Sequence, residues 1–259
     1  MKKTKIEWCD YEHNIVIGCK RNCRYCFARK MNDRFHWIKD FSVPKLIEKN
    51  LIPLNPKNPC SIFVDSISDP EYWEKGWGGR FIKMVFSSNS NCSFILLSKS
   101  PKTILNYGMS ITKVFTPEFP FSTIDIFLGY SCGNEDLIHK VFAETGDLYA
   151  DFISAEPLLE DIGSLSCFKE LLEDHCPNLK LIILGAETGN DSGKVHCKKE
   201  WIDHIVSEVD YINKTTNRRV SVFMKDSIKE MMGSFFRRDK LPWPCEKQDV
   251  SADYSGDVF

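Results

Sequence analysis

The chain has 259 residues, 42% of them hydrophobic and 27% charged, with a formal net charge of −2. That is the composition of an ordinary globular protein with a sizeable core. No window reaches the roughly 18 apolar residues a membrane helix needs. The opening "MKKTKIEWCDYEHN" has no apolar run behind its basic residues, so no membrane span or secretory leader is expected and a cytoplasmic location follows.

The first apolar run, "NIVIG" (14–18), leads into "GCKRNCRYCFARK" (18–30), which places Cys19, Cys23 and Cys26 within eight positions. The other cysteines (9, 60, 92, 132, 167, 176, 197 and 245) are scattered singly. They read as reduced thiols packed as small hydrophobes, since a disulfide framework belongs to small secreted chains. Residues 1–40 carry a net charge of +5 and the remaining 219 residues −7. A basic collar around the cysteines suits an anionic cluster, an anionic ligand or an electron-donor protein, or else is a solvated face.

Beyond the cysteines, helix and strand patterns alternate. Helices are predicted over 43–50, 79–88, 101–107, 135–144, 164–174 and 198–214. Strands are predicted over 14–18, 61–66, 93–98, 125–131, 151–156, 179–185 and 220–225. Most of the strands are continuously apolar, as parallel strands buried on both faces are. Repetition of strand and helix without a linker predicts one α/β domain over 1–240. The Pro-interrupted segment 241–259 is expected as a C-terminal tail that covers the bottom of the fold or stays mobile. A doubly wound sheet would give the same alternation as a full or partial (β/α) barrel. Nearly every strand, however, ends in a small or polar residue. Seven such ends favour a barrel, whose strand C-termini share one mouth, over an open sheet with a single switch point.

Zinc sites draw on paired ligands from two segments or on a closed set of four, and no CxxC or His pair follows downstream. Bacterial ferredoxin runs supply four cysteines. Three thiolates can hold a four-iron cluster and leave one iron open. The CxxxCxxC spacing, with Tyr25 directly before its last cysteine and a strand before the loop, resembles the radical S-adenosylmethionine (radical SAM) superfamily. "TKIEW" (4–8), "IGC" (17–19), "SISDPE" (66–71), "LLSKSP" (96–101), "ISAEPLLEDI" (153–162), "LGAETG" (184–189) and "VFMKD" (222–226) are similar, in order, to motifs of a phage-associated three-cysteine branch of radical SAM-like proteins. Here Cys9 stands where that branch usually has Thr, and Asn14-Ile15 replaces a frequent Asn-Pro.

The resemblance implies a partial (β/α) barrel with a [4Fe-4S] cluster on Cys19, Cys23 and Cys26, and S-adenosylmethionine (SAM) bound at its open iron. It further implies reductive cleavage of SAM to a 5′-deoxyadenosyl radical, with an electron donor such as flavodoxin or ferredoxin. It carries over no substrate. Tyr25 would pack near the adenine or the cluster, or is an ordinary core aromatic. Ser66, Ser68 and Asp69 would meet the SAM amino group, with Asp69 alternatively capping the turn at Pro70. Ser98 and Lys99 would meet a carboxylate or a substrate anion. Ser131 and Asn134 would meet the ribose, or serve the turn. Glu156 and Glu187 would contact ligand, unless Lys99 and Lys225 engage them as ion pairs. Two rival readings stand beside this one: a non-catalytic metal-binding protein of phage or mobile-element origin, and a radical SAM enzyme acting on nucleic acid. The second rests on the basic pairs Arg218-Arg219 and Arg237-Arg238.

Overall fold

A computed structural model describes residues 1–114, 125–189 and 193–249. Eight strands form one sheet in chain order: β1 (Lys2–Lys3), β2 (Tyr11–His13), β5 (Cys60–Val64), β6 (Cys92–Ser98), β7 (Asp125–Ser131), β8 (Phe152–Ala155), β9 (Leu181–Leu184) and β10 (Ser221–Met224). The terminal β1 is antiparallel to β2, and every other pairing is parallel. The crossovers from β5 to β10 carry α2 (Trp77–Phe86), α3 (Pro101–Val114), α4 (Glu135–Glu144), α5 (Ser166–Asp174) and α6 (Lys199–Thr215). The chain is an α/β protein with a mostly parallel central sheet.

Alternate strand residues enter two separate cores, which is why the strands read as continuous apolar runs. Ile62, Val64, Phe94, Leu96, Tyr130, Ile182 and Leu184 pack with Phe81 of α2, Ile104 of α3, Ile138 of α4, Leu171 of α5 and Ile205 of α6. Phe63, Ile95, Phe127, Phe152, Ile183 and Phe223 face the other way, onto Trp8, Leu241, Trp243 and Cys245. Among the described residues, no helix of the five crossovers contributes to this second core. The Phe152 ring lies over Gly129, where an added Cβ would come within 2.1 Å of it.

Segment 241–245, expected to belong to a tail, is therefore part of the packed chain. Trp243 is 3% exposed, its ring sits 5.2 Å from those of Phe127 and Phe152, and its indole Nε1 donates to the Trp8 carbonyl at 2.7 Å. Residues 250–259 lie outside the described residues.

Two predicted elements are corrected. The run 14–18 is not a strand of the main sheet, since the sheet takes Tyr11–His13 instead. Val16–Ile17 (β3) pairs antiparallel with Lys45–Leu46 (β4) in a small second sheet. The predicted helix 43–50 is thereby replaced by β4 and a 3-10 turn, Glu48–Asn50. The backbone of this stretch is satisfied by the neighbouring strand, with the Ile47 amide donating to Ile15 O at 2.7 Å. A helix that sequence reasoning missed, α1 (Phe27–Phe35), follows the cysteines directly.

Candidate functional site

Because the sheet is parallel, the C-terminal ends of β5 to β10 open on one edge. A cavity of about 890 Å³ lies there, within the usual size of a small-molecule site. Its wall is built from Ser66, Ser68 and Asp69 after β5, Ser98 and Lys99 at the end of β6, Ser131 of β7, Glu156 after β8, Glu187 after β9 and Lys225 after β10. Against these strand ends stand Cys19, Cys23, Tyr25 and Cys26 of the loop, with Phe27 and Met31 of α1.

All but one of the predicted site residues therefore share this cavity, and Asn134 is the exception. The turn at Cys132-Gly133 carries it away to the start of α4, and the tightness of that turn is set by Gly133, where a Cβ would come within 2.1 Å of Pro157 O. The Asn134 side chain makes no capping bond, and its Oδ1 is buried without a partner.

The loop is tied down by its backbone. Gly18 has φ +103°, and a Cβ there would meet Phe41 O at 2.9 Å, so only glycine fits without strain. The Cys19 amide donates to Phe41 O at 2.7 Å, and the Arg29 guanidinium donates to Cys19 O at 2.9 Å. Cys26 is the N-cap of α1, its Sγ accepting from the Arg29 amide at 3.4 Å. Burial pushes the Cys19 thiol up to about 12 and raises that of Cys23, where the nearby Lys99 ammonium opposes the rise.

Charged groups in the cavity are coupled across long stretches of chain. Arg24, between Cys23 and Cys26, donates to Glu187 Oε2 at 2.5 Å, and Glu187 also accepts from the Val195 amide at 3.1 Å. Lys225 pairs with Glu156, and Arg21 pairs with Glu71 and approaches Asp69 at 3.8 Å. Asp69 accepts from Ser98 Oγ at 2.7 Å, from the Lys99 amide at 3.2 Å and from the Glu71 amide at 3.0 Å. It thus both caps the turn and faces the cavity. The Lys99 ammonium donates to Ser131 and stands 5.6 Å from the Tyr25 ring centroid, while burial lowers its pKa. Ser68 accepts from the Trp73 indole at 3.0 Å, and Ser66 donates to Glu12 at 3.3 Å.

Sequence reasoning missed Arg21, Arg24, Glu12 and Asp65. The two arginines had a signal, since they alternate with the cysteines inside the +5 segment. Asp65 had none. It follows β5 at φ +57°, accepts the Ile15 and Val16 amides on Oδ1 at 2.5 and 3.0 Å, and keeps a buried Oδ2 with no partner. Burial raises its carboxyl well above the usual range, against those two amide bonds.

Of the four arginines that pointed to nucleic acid, three are engaged in the fold and Arg219 is exposed. Arg218 donates to the carbonyls of Leu172 and Cys176, Arg237 to Asp210 and Asp239, and Arg238 to Glu7 and Asp226.

Among the described residues, one set of three metal-donor atoms lies within 4.8 Å: Glu135, His139 and Cys167, of which the first two are exposed. The thiols of Cys19, Cys23 and Cys26 are not all that close together.

Fold and site define an α/β protein whose strand-end cavity is faced by a three-cysteine loop. The chain belongs to the family described as protein of unknown function (DUF5131), whose model matches residues 3–227. That span covers the loop and every strand end that lines the cavity. No curated protein and no solved structure matches the chain.

Proposed function

We propose that the chain is a radical SAM enzyme that holds a [4Fe-4S] cluster through Cys19, Cys23 and Cys26. It would work in the cytoplasm and take its electron from a flavodoxin or ferredoxin. One observation carries the reading: a single cavity joins the three-cysteine loop to the polar C-terminal ends of six parallel strands. The fold reading that goes with it is a partial (β/α) barrel. Strands in chain order, crossover helices packed on one face and an aromatic-filled opposite face support it.

The donor set suits the cluster: three thiols of one loop face the cavity, the number that would hold a four-iron cluster and leave one iron open. Lys99 and Arg21 stand beside them, where they offset the negative charge that thiolates and sulfide bring. When bound, the cluster supplies the electron that splits SAM into methionine and a 5′-deoxyadenosyl radical.

The chain's own residues bind, orient and exclude water. Asp69, with Ser68 beside it, presents a carboxylate and a hydroxyl suited to an ammonium. Lys99, already seated against Ser131, presents a cation to a carboxylate. The ring of Tyr25 and the side chains of Phe27 and Met31 give the loop side of the cavity an apolar surface. Glu156 and Glu187, each held by a cation, keep fixed acceptor oxygens at the wall for ligand hydroxyls or amines.

The test is anaerobic purification, followed by iron and zinc analysis, visible absorption, and assay for 5′-deoxyadenosine with SAM and dithionite. A broad visible shoulder that bleaches on reduction, with deoxyadenosine formed, is the expected result. A colourless protein carrying zinc would replace this reading with a non-catalytic metal-binding role.

A further inference from the structure

The surface that runs from the cavity along α1 to Trp37 is both basic and aromatic. Helix α1 buries Ala28 and Asn32 and turns its large rings outward, so that Phe27 is 57% exposed and Phe35 51%, with Trp37 41% exposed just beyond. Among the described residues six aromatic side chains are conspicuously exposed, and three of them fall within these eleven positions. Cations are interleaved with the rings, and the Arg34 guanidinium lies 5.0 Å over the Phe35 ring. Lys3 and Lys5, both exposed, line the same cavity as Phe27.

A solvated face accounts for the charges but not for the rings, because exposing three large aromatics in one stretch forgoes burial that the helix could have used. A protein partner would favour a contiguous apolar centre with charge at its rim, whereas here Arg29, Lys30, Arg34 and Lys39 alternate with the rings along the chain, and Arg34 stacks on Phe35. Alternating cations and flat rings match a strand of phosphates and unpaired bases. Phe27 is also part of the cavity wall, and a base would have to leave a duplex to enter that cavity.

We propose that the surface running from Phe27 at the cavity along α1 to Trp37 binds single-stranded nucleic acid, with bases stacked on Phe27, Phe35 and Trp37 and phosphates on Arg34, Lys5 and Lys3, the last drawn from its pairing with Glu246. The inference names the substrate class for the cavity and in that respect rests on the radical SAM reading; the binding itself does not.

The experiment measures fluorescence anisotropy of labelled single-stranded RNA and DNA of roughly 16 nucleotides, and of the matching duplexes, against the full chain. Single strands should bind more tightly than duplexes. Phe27→Ala and Trp37→Ala should each weaken binding about tenfold, at unchanged melting temperature. The Lys3→Gln, Lys5→Gln double variant should reduce the slope of log affinity against log salt by roughly 0.7 for each phosphate that is no longer neutralised.

Absence of single-strand binding at low salt would overturn the proposal. So would binding that responds to the lysines but not to the rings, which marks non-specific charge. If the same variants instead release an acidic flavodoxin and leave oligonucleotide binding intact, the surface serves an electron donor and the proposal falls. Deoxyadenosine is assayed on the same samples. Binding without cleavage sinks the enzyme reading alone, and cleavage without binding sinks this one alone.

Discussion

Glu187→Gln removes the charge from a side chain that is 3% exposed and receives the Arg24 guanidinium at 2.5 Å, across 163 positions of sequence. Hydrogen bonds to charged groups contribute about 1.5–3 kcal/mol. Breaking a fully buried pair costs more, about 3–5 kcal/mol, because it strands the second charge. That penalty does not apply here in full, since the Arg24 side chain is 43% exposed and rehydrates when its partner is removed. The glutamine also keeps an oxygen for the Val195 amide. The expected loss is therefore about 2 kcal/mol, or a fall of about 4–8 °C in melting temperature for a chain of this size. Because Arg24 lies between Cys23 and Cys26, the variant should also lose iron faster on dialysis than wild type. Melts of Glu187→Gln, Arg24→Ala and the double variant form a cycle, and direct contact predicts strong non-additivity. If the two single effects simply add to within about 0.5 kcal/mol, the pair does not anchor the loop and the argument fails.

Replacing Cys19, Cys23 or Cys26 with Ala should abolish iron loading, while Cys92→Ala and Cys167→Ala should load normally. Iron analysis after anaerobic reconstitution decides, and equal loss in Cys92→Ala would mean a different ligand set. Tyr25→Ala should weaken SAM binding to the cluster-loaded protein in calorimetry, and undiminished affinity would remove the ring from the site. Glu156→Gln, whose partner is Lys225, should lower SAM cleavage with a smaller melting shift than Glu187→Gln, because Glu156 has the more exposed side chain. A large melting shift with unchanged specific activity would make that glutamate purely structural. Asp65 has its folded pKa raised by burial above the 3.8 of an ordinary Asp. The folded state therefore holds a proton that the unfolded state releases, and this contribution to stability fades as pH rises above about 4. Asp65→Asn should flatten that decline, and urea melts that give the same loss of stability between pH 5 and pH 8 in both proteins would contradict it.

The sheet was legible because burial on both faces writes long apolar runs, as in "SFILLS" and "LKLIILG". The cavity was legible because small or polar residues end those runs. Asn134 was misplaced because strand ends can be read from residue order, whereas the turn at Gly133 that swings the next residue aside cannot. Helix α1 was missed for a physical reason: its rings face outward and its buried positions hold Ala28 and Asn32, so the apolar pattern points away from the core. The run 43–50 had helical spacing, but its backbone is taken by β3, a non-local partner that no window of sequence reveals. The pairs Arg24–Glu187 and Lys225–Glu156 were hidden in the same way. Each residue was visible as a charge, while the choice between ligand contact and ion pair depends on neighbours 163 and 69 positions away.

The bond from the Trp243 indole to the Trp8 carbonyl spans 235 positions. Both rings sit in the core on the cavity side of the sheet, and Trp8 also lines the cavity. During synthesis every β-strand and every crossover helix is made before this bond can form. The inner face cannot close earlier, because its last aromatic arrives only after β10 has been made. Until then Phe127 and Phe152 lack the Trp243 ring that covers them in the finished chain. A nascent chain is thus at its stickiest late rather than early. Anything that stalls translation shortly before residue 243 should leave a product prone to aggregation, with its cysteine loop already made and its cavity floor still missing.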